Sequence, residues 1–569
     1  MKKSLVAVGV IVALGVVWTG ASWYMGSKIE SRLQEETKLA NEQLAQLAKK
    51  AQFGADVKLE IRDYKKGVFT SNADFVVVIS PDTSDADADQ EKKVEEVVFS
   101  TDIDHGPFPL SDLAKFNLAP KLAAMNNTLV DNNSTKELFK LTKEKSILSG
   151  HTSLAFDGAV SGTATLNSID FAENDGTVKT TPITVEFSSD KNATNFATKI
   201  KGDQVVVTKG GEETFTIKNI SGSIVGTKIN DDQYLFNEQL LNFAEIAHTS
   251  KDKASDFSLK DFSLTTKSDI KDKLFNISQT YYFKSLNVAG LEFGAGKFGY
   301  SIDKADPDAM LLLTKVYNNS LLPWNKNHFD NSEIVEQAVR DVLEKGLVFR
   351  IDEASLTNKS GASKLTFNLD LNAFNVKVLE SQEKSPAELF NYLFKNIDFN
   401  VDLSLPMLAE FRNTTQYLDA ARYQETALTD EEKKEIEVAT AADIEQLKNE
   451  LQQNINQISQ DEKDALPLML LAKDSNALSM KLNYAADKFT MNGKTYTFDE
   501  FMEVTQAPQM LGLAAMLFGM GASSYDYDDS DYSDYSDYSE EGYQEEMTED
   551  PAIIEEQDIL IPEQPAQAQ

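Results

Sequence analysis

The stretch LFNISQTYYFKSLNVAGLEFGAGKFGYSI, residues 274–302, decides the fold class. Phe, Tyr and Leu recur there at alternating positions, the period of two that sends successive side chains to opposite faces of a β-strand. The same period runs through Val57-Lys58-Leu59-Glu60-Ile61 and Ile183-Thr184-Val185-Glu186-Phe187. Shorter β-branched or aromatic runs stand at 74–80, 97–99, 205–207, 215–217 and 257–259. Clusters of Gly, Asn, Asp or Lys bound each run, as turns bound antiparallel strands. Because the intervening positions are polar, one side of the resulting sheet is expected to be solvated or to line something wet.

Within the opening stretch, Gly294-Ala295-Gly296-Lys297-Phe298-Gly299 matches the spacing of a dinucleotide-binding loop. That chemistry needs a helix N-terminus after the glycines to receive a phosphate. Tyr300-Ser301-Ile302 reads as strand instead, so the glycines are assigned to a turn or bulge. No Walker A loop, GxSxG elbow or HExxH helix occurs.

Helices are expected to interrupt the strands at 107–127, 306–319, 330–345, 385–395 and 429–458, with a segment at 465–473 pairing back on the last. In 330–345, Asp330 and Glu333 fit a capping box and Gly346 a stop. Strands return at 347–351, 365–371 and 399–405. Asn492-Gly493, between alternating segments, predicts a two-residue hairpin turn. The fold class is therefore α+β and β-rich: a large, mostly antiparallel sheet with helical excursions, one N-terminal transmembrane helix and a disordered acidic tail. The expected division is an anchor at 1–26, an amphipathic stalk helix at 27–53, a β-rich body at 54–303 and a mixed part at 304–403. A helical insertion at 404–475, a closing β-hairpin at 476–508, an apolar segment at 509–522 and the tail at 523–569 follow.

The anchor rests on residues 5–24, which carry no charge. Twenty residues at helical rise span about 30 Å, the hydrocarbon thickness of a bilayer. Lys2 and Lys3 ahead of it place the N-terminus in the cytoplasm and the body outside. A cleaved signal peptide, with Thr19-Gly20-Ala21 as the cut, is the rival reading, and it exports the body equally. Ile29, Leu33, Ala40, Leu44, Leu47 and Ala51 then form a helical stripe. Such a stripe packs on its own body or on a second copy, which would make a homo-oligomer.

The net charge of −36, from 55 bases and 91 acids, repels nucleic acid and disfavours flat adsorption on anionic lipid. Absence of cysteine excludes a disulfide framework, thiolate metal sites, a Cys nucleophile and an acylated lipoprotein anchor. No cofactor or metal site is expected from the four histidines. After Lys494 no base occurs, and Asp-Tyr-Ser repeats at 531–539 lead into Glu-rich sequence, a composition that does not fold.

Two clusters are conspicuous. In His105-Gly106-Pro107-Phe108-Pro109, His105 is a candidate base or ligand; the plainer reading is a strand ending in a rigid turn with Phe108 plugging the core. In Tyr64-Lys65-Lys66-Gly67-Val68-Phe69-Thr70-Ser71, two strands flank Gly67, with Tyr64 and Phe69 as core contacts.

The N-terminal stretch, the Tyr64…Gly67…Ser71 element, His105-Gly106-Pro107-Phe108 and Asn492-Gly493-Lys494 together resemble the YdgA-like family of bacterial envelope proteins, over residues 1 to about 502. The resemblance implies a single-pass inner-membrane anchor and a periplasmic body, and it supplies no catalytic residue. The leading expectation is a non-enzymatic, membrane-tethered binding or scaffolding body that takes a lipid or an envelope protein as partner. The alternative is a carrier of apolar ligands in a groove lined by Phe283, Leu286, Leu291, Phe293 and Phe298. The weakest is a hydrolase using His105.

Overall fold

The computed structural model describes residues 55–81, 94–320, 332–380, 384–424, 440–461, 470–471 and 476–505, apart from 144, 174–175, 231–232, 252 and 254. It also describes a few helical residues between 37 and 45 and three between 429 and 432. The expected membrane span at 5–24, Asp330 of the expected capping box, the apolar segment at 509–522 and the tail lie outside these residues. No helix among the described residues is long and apolar enough to cross a membrane.

The described strands join one antiparallel sheet of 22, whose spatial order follows the chain almost throughout. β1 (Ala55–Lys66), β2 (Thr70–Pro81) and β3 (Glu95–His105) pair in succession. A one-turn helix α1 (Leu110–Leu113) precedes β4 (Ala123–Leu129), and α2 (Lys136–Leu141) precedes β5 (Leu148–Leu154). Next, β6 (Val160–Leu166) and β7 (Asp170–Glu173) run end to end against β8 (Gly176–Thr180) and β9 (Ile183–Ser189). Pro182 sits in the break between β8 and β9, where its missing N–H interrupts no ladder.

Six long strands follow as hairpins: β10 (Asn195–Lys209), β11 (Glu213–Asn230), β12 (Gln233–Thr249), β13 (Phe257–Lys271), β14 (Leu274–Val288) and β15 (Leu291–Ala305). A helical pair, α3 (Pro307–Ser320) and α4 (Ser332–Glu344), leads to β16 (Val348–Asn358) and β17 (Gly361–Leu371). Gly346, at φ +79°, ends α4 as the sequence predicts. Then come α5 (Pro386–Leu393), β18 (Phe394–Ser404), α6 (Leu405–Gln424) and α7 (Ala441–Asp461). The short β19 (Leu470–Leu471), β20 (Ala477–Ala485), β21 (Lys488–Met491), β22 (Lys494–Tyr496) and α8 (Phe498–Thr505) complete the described chain. The Asn492-Gly493 turn joins β21 to β22 with both residues at positive φ, as a two-residue hairpin loop requires.

Two expected helices differ among the described residues. The segment 107–127 gives only α1 and then β4. Pro107, Pro109 and Pro120 break it, and from Met125 to Leu129 buried and more exposed side chains alternate. Residues 470–471 of the expected partner helix pair with β20 as strand.

Paired residues share a face, so the register can be followed across the whole sheet. One rung runs Ala73, Thr101, Asn127, Gly150, Ala164, Val185, Ile200, Gly222, Leu241, Leu264, Tyr281, Phe298, Ala354, Leu365, Val401 and Met480. From Ala164 onward it is wholly apolar. The rung beside it, on the opposite face, runs Asp74, Ser100, Thr128, Ser149, Thr165, Thr184, Lys201, Ser221, Asn242, Ser263, Tyr282, Lys297, Ser355, Lys364, Asp402 and Ser479. This sheet has an apolar front and a polar back.

The apolar period is interrupted at one height. In β11 the apolar positions change from Phe215 and Ile217 to Ile220 and Ile224; in β13 they change from Phe257 and Leu259 to Phe262 and Leu264. Asn219 (φ 50°) and Asp261 (φ 49°) occupy the two switch points in left-handed geometry, which Asn and Asp tolerate best. Both fall in gaps of the same register, next to the Lys218–Glu245 and Glu245–Lys260 pairs.

Helices cover the front at its two ends. At the first end Leu44, Val57, Leu59, Val77, Val97, Phe99, Leu129 and Phe139 form one buried cluster. Asn41 fastens its helix there by a reciprocal pair of bonds: its amide donates to the Leu59 carbonyl at 2.9 Å and its oxygen accepts from the Leu59 N–H at 2.6 Å. At the other end Phe390 of α5 meets Phe394, Tyr484, Phe489 and Phe498, and Phe501 stacks on Phe489 at 4.0 Å. Burial pushes the Tyr484 hydroxyl pKa up to about 12, and that hydroxyl donates to Asn391.

Candidate functional site

Between those capped ends the apolar front is only half covered. Among the described residues from Ala164 to Phe275, Leu235 is the one hydrophobic side chain that is fully buried in between. Val185, Ile200, Leu241, Leu264 and Tyr281 on the long rung are half-buried, and Phe298 is exposed. Their partial cover comes from neighbours in the sheet. Phe187 lies over Gly162, Phe196 over Gly226 and Phe283 over Gly296, so close that a Cβ on each glycine would stand 2.2–2.4 Å from the ring. The glycines let rings lie flat on the sheet, the arrangement in which an aromatic side chain shields a bare strand.

The five residues expected to line a groove divide three ways. Leu291 and Phe293 at one end of β15 are covered by α6: Leu291 shares a buried cluster with Leu418, and Phe293 meets Phe411 edge-on at 5.5 Å. Leu286 pairs with Gly294 (φ +94°), which makes the expected bulge. Phe283 and Phe298 belong to the half-open part, Phe298 lying 6.2 Å from Tyr281.

The motif residues near the N-terminus do come together. Tyr64 donates to the Ser71 hydroxyl at 3.3 Å, and Ser71 Oγ lies 2.9 Å from His105 Nε2. His105 Nδ1 faces the Val68 carbonyl at 3.4 Å. Gly67 and Gly106 are required by space: a Cβ would fall 2.3 Å from the Thr70 oxygen and 2.0 Å from the Lys121 oxygen. Gly106-Pro107 is cis. Tyr64 packs against buried clusters as expected. Phe69 and Phe108 do not: both are exposed, because the turn and the segment after Pro107 project beyond the end of the sheet. Asn492 and Gly493 stand apart in the β21–β22 turn.

Ser71 and His105 have the spacing of a nucleophile and its base. Ser71, however, is 2% exposed, and the far side of the imidazole meets a main-chain carbonyl rather than a carboxylate. The pair ties β1, β2 and β3 together. A second cluster of the same residue types escaped the sequence reading. Asp112 of α1 accepts from Ser153 at 2.9 Å and lies 3.0 Å from His151 Nε2, while His151 Nδ1 faces Asn126 Oδ1 at 2.8 Å. The order is wrong for a catalytic triad, because the carboxylate takes both the hydroxyl and Nε2. It serves instead as a clamp holding the segment around α1 on the polar back. The alternation His151-Thr152-Ser153 signals that two of these share a face; nothing local brings Asp112 to them.

An open cleft of about 660 Å³ between α3 and α4 is lined by Asp306, Asp308, Asp341 and Glu344 with Lys345, Leu312 and Ile334. Among the described residues no group of three His, Asp or Glu side chains is arranged to hold a metal ion.

A family model described as bacterial protein of unknown function (DUF945) matches residues 1–498. Protein YdgA of Escherichia coli (strain K12) is 26% identical over 529 residues, covering 90% of this chain and 98% of that protein. The uncharacterized protein YihF of the same organism is 25% identical over 522 residues, covering 88% and 98%. An uncharacterized protein of Haemophilus influenzae is 31% identical over 170 residues, 29% of this chain and 42% of its own length. No solved structure matches.

Proposed function

Given that this chain belongs to the DUF945 family of bacterial proteins of unknown function, we propose that it is a membrane-tethered, non-enzymatic body that holds the hydrocarbon part of a lipid on its sheet front. One observation carries the reading: an apolar rung crosses β6 to β20, is covered at its ends and is half-open between. The six strands from β9 to β14 span about 24 Å at ordinary strand spacing. An acyl chain needs about 15 Å, half the hydrocarbon thickness of a bilayer. Strand alternation keeps the back polar, so the body stays in water while presenting one oily face. In this reading residues 5–24, with Lys2 and Lys3 ahead, are the tether, and the body lies in the periplasm beside the inner membrane.

The geometry favours this over a purely scaffolding body, for which a filled core would serve as well. Hydrolysis through His105 has no support in the relay around Ser71. Native mass spectrometry of the full chain released from detergent is expected to show bound phospholipid. A fluorescent fatty acid is expected to bind and to be displaced by phospholipid. A lipid-free protein that leaves the probe unbound rejects the proposal.

A further inference from the structure

Large hydrophobic side chains that stand free in water are concentrated at one edge of this molecule. Six of them are at least 60% exposed among the described residues: Val68, Phe69, Leu110, Phe116, Leu118 and Phe156. All six lie in three connections, the β1–β2 turn, the β3–β4 segment and the β5–β6 turn. In an antiparallel meander, alternate connections emerge at the same end of the sheet, so these three are neighbours there. The hydrogen bonds agree: the His105 N–H donates to the Phe69 carbonyl and the Leu122 N–H donates to the Leu154 carbonyl, both at 2.8 Å. Phe116 is 91% exposed and held at φ 58°, a conformation a bulky residue adopts only under constraint.

Such a cluster does not arise from loose packing. The Tyr64–Ser71–His105 relay fixes the base of the first turn, and the Asp112–His151–Ser153 clamp fixes the segment bearing Leu110, Phe116 and Leu118. Rigid supports hold oily tips out of the body. The charge around the tips is also unlike that of the whole chain. Lys65, Lys66, Lys115 and Lys121 accompany them, against the exposed acids Asp63, Asp102 and Asp157, so bases outnumber exposed acids here in a protein of net charge −36. Apolar tips ringed by lysines match the boundary of a bilayer with anionic headgroups.

We propose that this edge inserts Val68, Phe69, Leu110, Phe116, Leu118 and Phe156 into the surface of a lipid bilayer. The proposal rests on the tethered reading, and chain length favours the same membrane that residues 5–24 would cross. From Tyr24 to Asn41 are 17 residues, about 26 Å at helical rise and more if extended. From Leu59, where Asn41 is fastened, to Lys66 at the edge is about 23 Å of strand. The tether therefore reaches as far as the tips do. Docked in this way, the body would stand on the bilayer with its half-open front beginning a few strands from the inserted tips.

The absence of cysteine makes the test direct, because a single introduced thiol is a unique labelling site. Full-length Phe116→Cys, labelled with a fluorophore, is reconstituted into vesicles of phosphatidylethanolamine and phosphatidylglycerol containing spin-labelled lipid. Gly211→Cys, in a connection at the opposite end of the sheet, is the reference. Quenching is expected to be several-fold stronger at 116 than at 211. It is expected to fall about tenfold when Val68→Asp and Phe69→Asp are added, because each removes one anchoring side chain. Equal quenching at the two positions overturns the proposal, and so does shielding of the 116 label by a second copy of the chain in lipid-free detergent solution. Failure of the tether would show separately, as protein that leaves the vesicles in an alkaline carbonate wash. Loss of fatty-acid binding on the docked protein would count only against the lipid-holding front.

Discussion

Leu264 and Val401 stand on one rung of one sheet, and replacing each by Asp should have very different consequences. Val401 is 5% exposed, between Leu365 and Met480. A carboxylate there loses its water and gains no partner, which costs about 3–5 kcal/mol. That is a large share of the roughly 5–15 kcal/mol that holds a domain folded. Leu264 is half-buried among Leu241, Thr266 and Tyr281. A carboxylate there keeps much of its hydration, and the loss is only part of one leucine's burial, about 1 kcal/mol. Urea unfolding followed by far-ultraviolet circular dichroism should show a strongly lowered midpoint for Val401→Asp and a small change for Leu264→Asp. Fatty-acid binding should nonetheless be lost in Leu264→Asp, since a charge then lies in the path of the chain. If the two variants lose stability equally, the middle of the front is ordinary core and the argument for a lipid-holding face is wrong.

Phe501→Ala should cost about 3–5 kcal/mol, because the ring is 1% exposed and stacked on Phe489; calorimetry of the full chain checks this. Gly226→Ala should lose about 1–3 kcal/mol by forcing its Cβ into the Phe196 ring, and Phe196→Leu in the same chain should recover part of that loss. Four helix starts are capped reciprocally, by Ser385 with Glu388, Thr429 with Glu432, Thr440 with Asp443 and Thr497 with Glu500. The hydrogen bonds from each cap residue hold these carboxylates below their ordinary range. Their contribution is complete above the ordinary carboxylate pKa and is lost as pH falls through the lowered folded values. Helical signal should therefore fade in acid below that range, and less so in Glu388→Gln and Glu500→Gln. An unchanged acid limb in those variants would show that the caps do not matter.

How far the sequence could be read depends on the range of the interaction involved. The period of two in residues 274–302 and 183–187 is a local property, and it announced antiparallel strands with one polar face. Gly346 and Asn492-Gly493 are likewise local, since a left-handed φ is a demand on one residue. Where local signals competed, reading failed. Prolines in 107–127 limit the expected helix to the single turn of α1, and the β1–β2 turn leaves Phe69 outside although its side chain is fit for a core. The Asn219 and Asp261 switches escaped notice because each looks like a broken alternation until the neighbouring strand is laid beside it.

Composition and pattern alone thus determined that this chain builds an antiparallel sheet with unlike faces. Tertiary structure decided which stretch of the apolar face is covered. Cover depends on where α5, α6, α8 and the helix around Leu44 come to rest, contacts made between residues tens to hundreds of positions apart. It also decided that three separate connections bring six oily tips to one edge, because only the pairing order says which turns are neighbours.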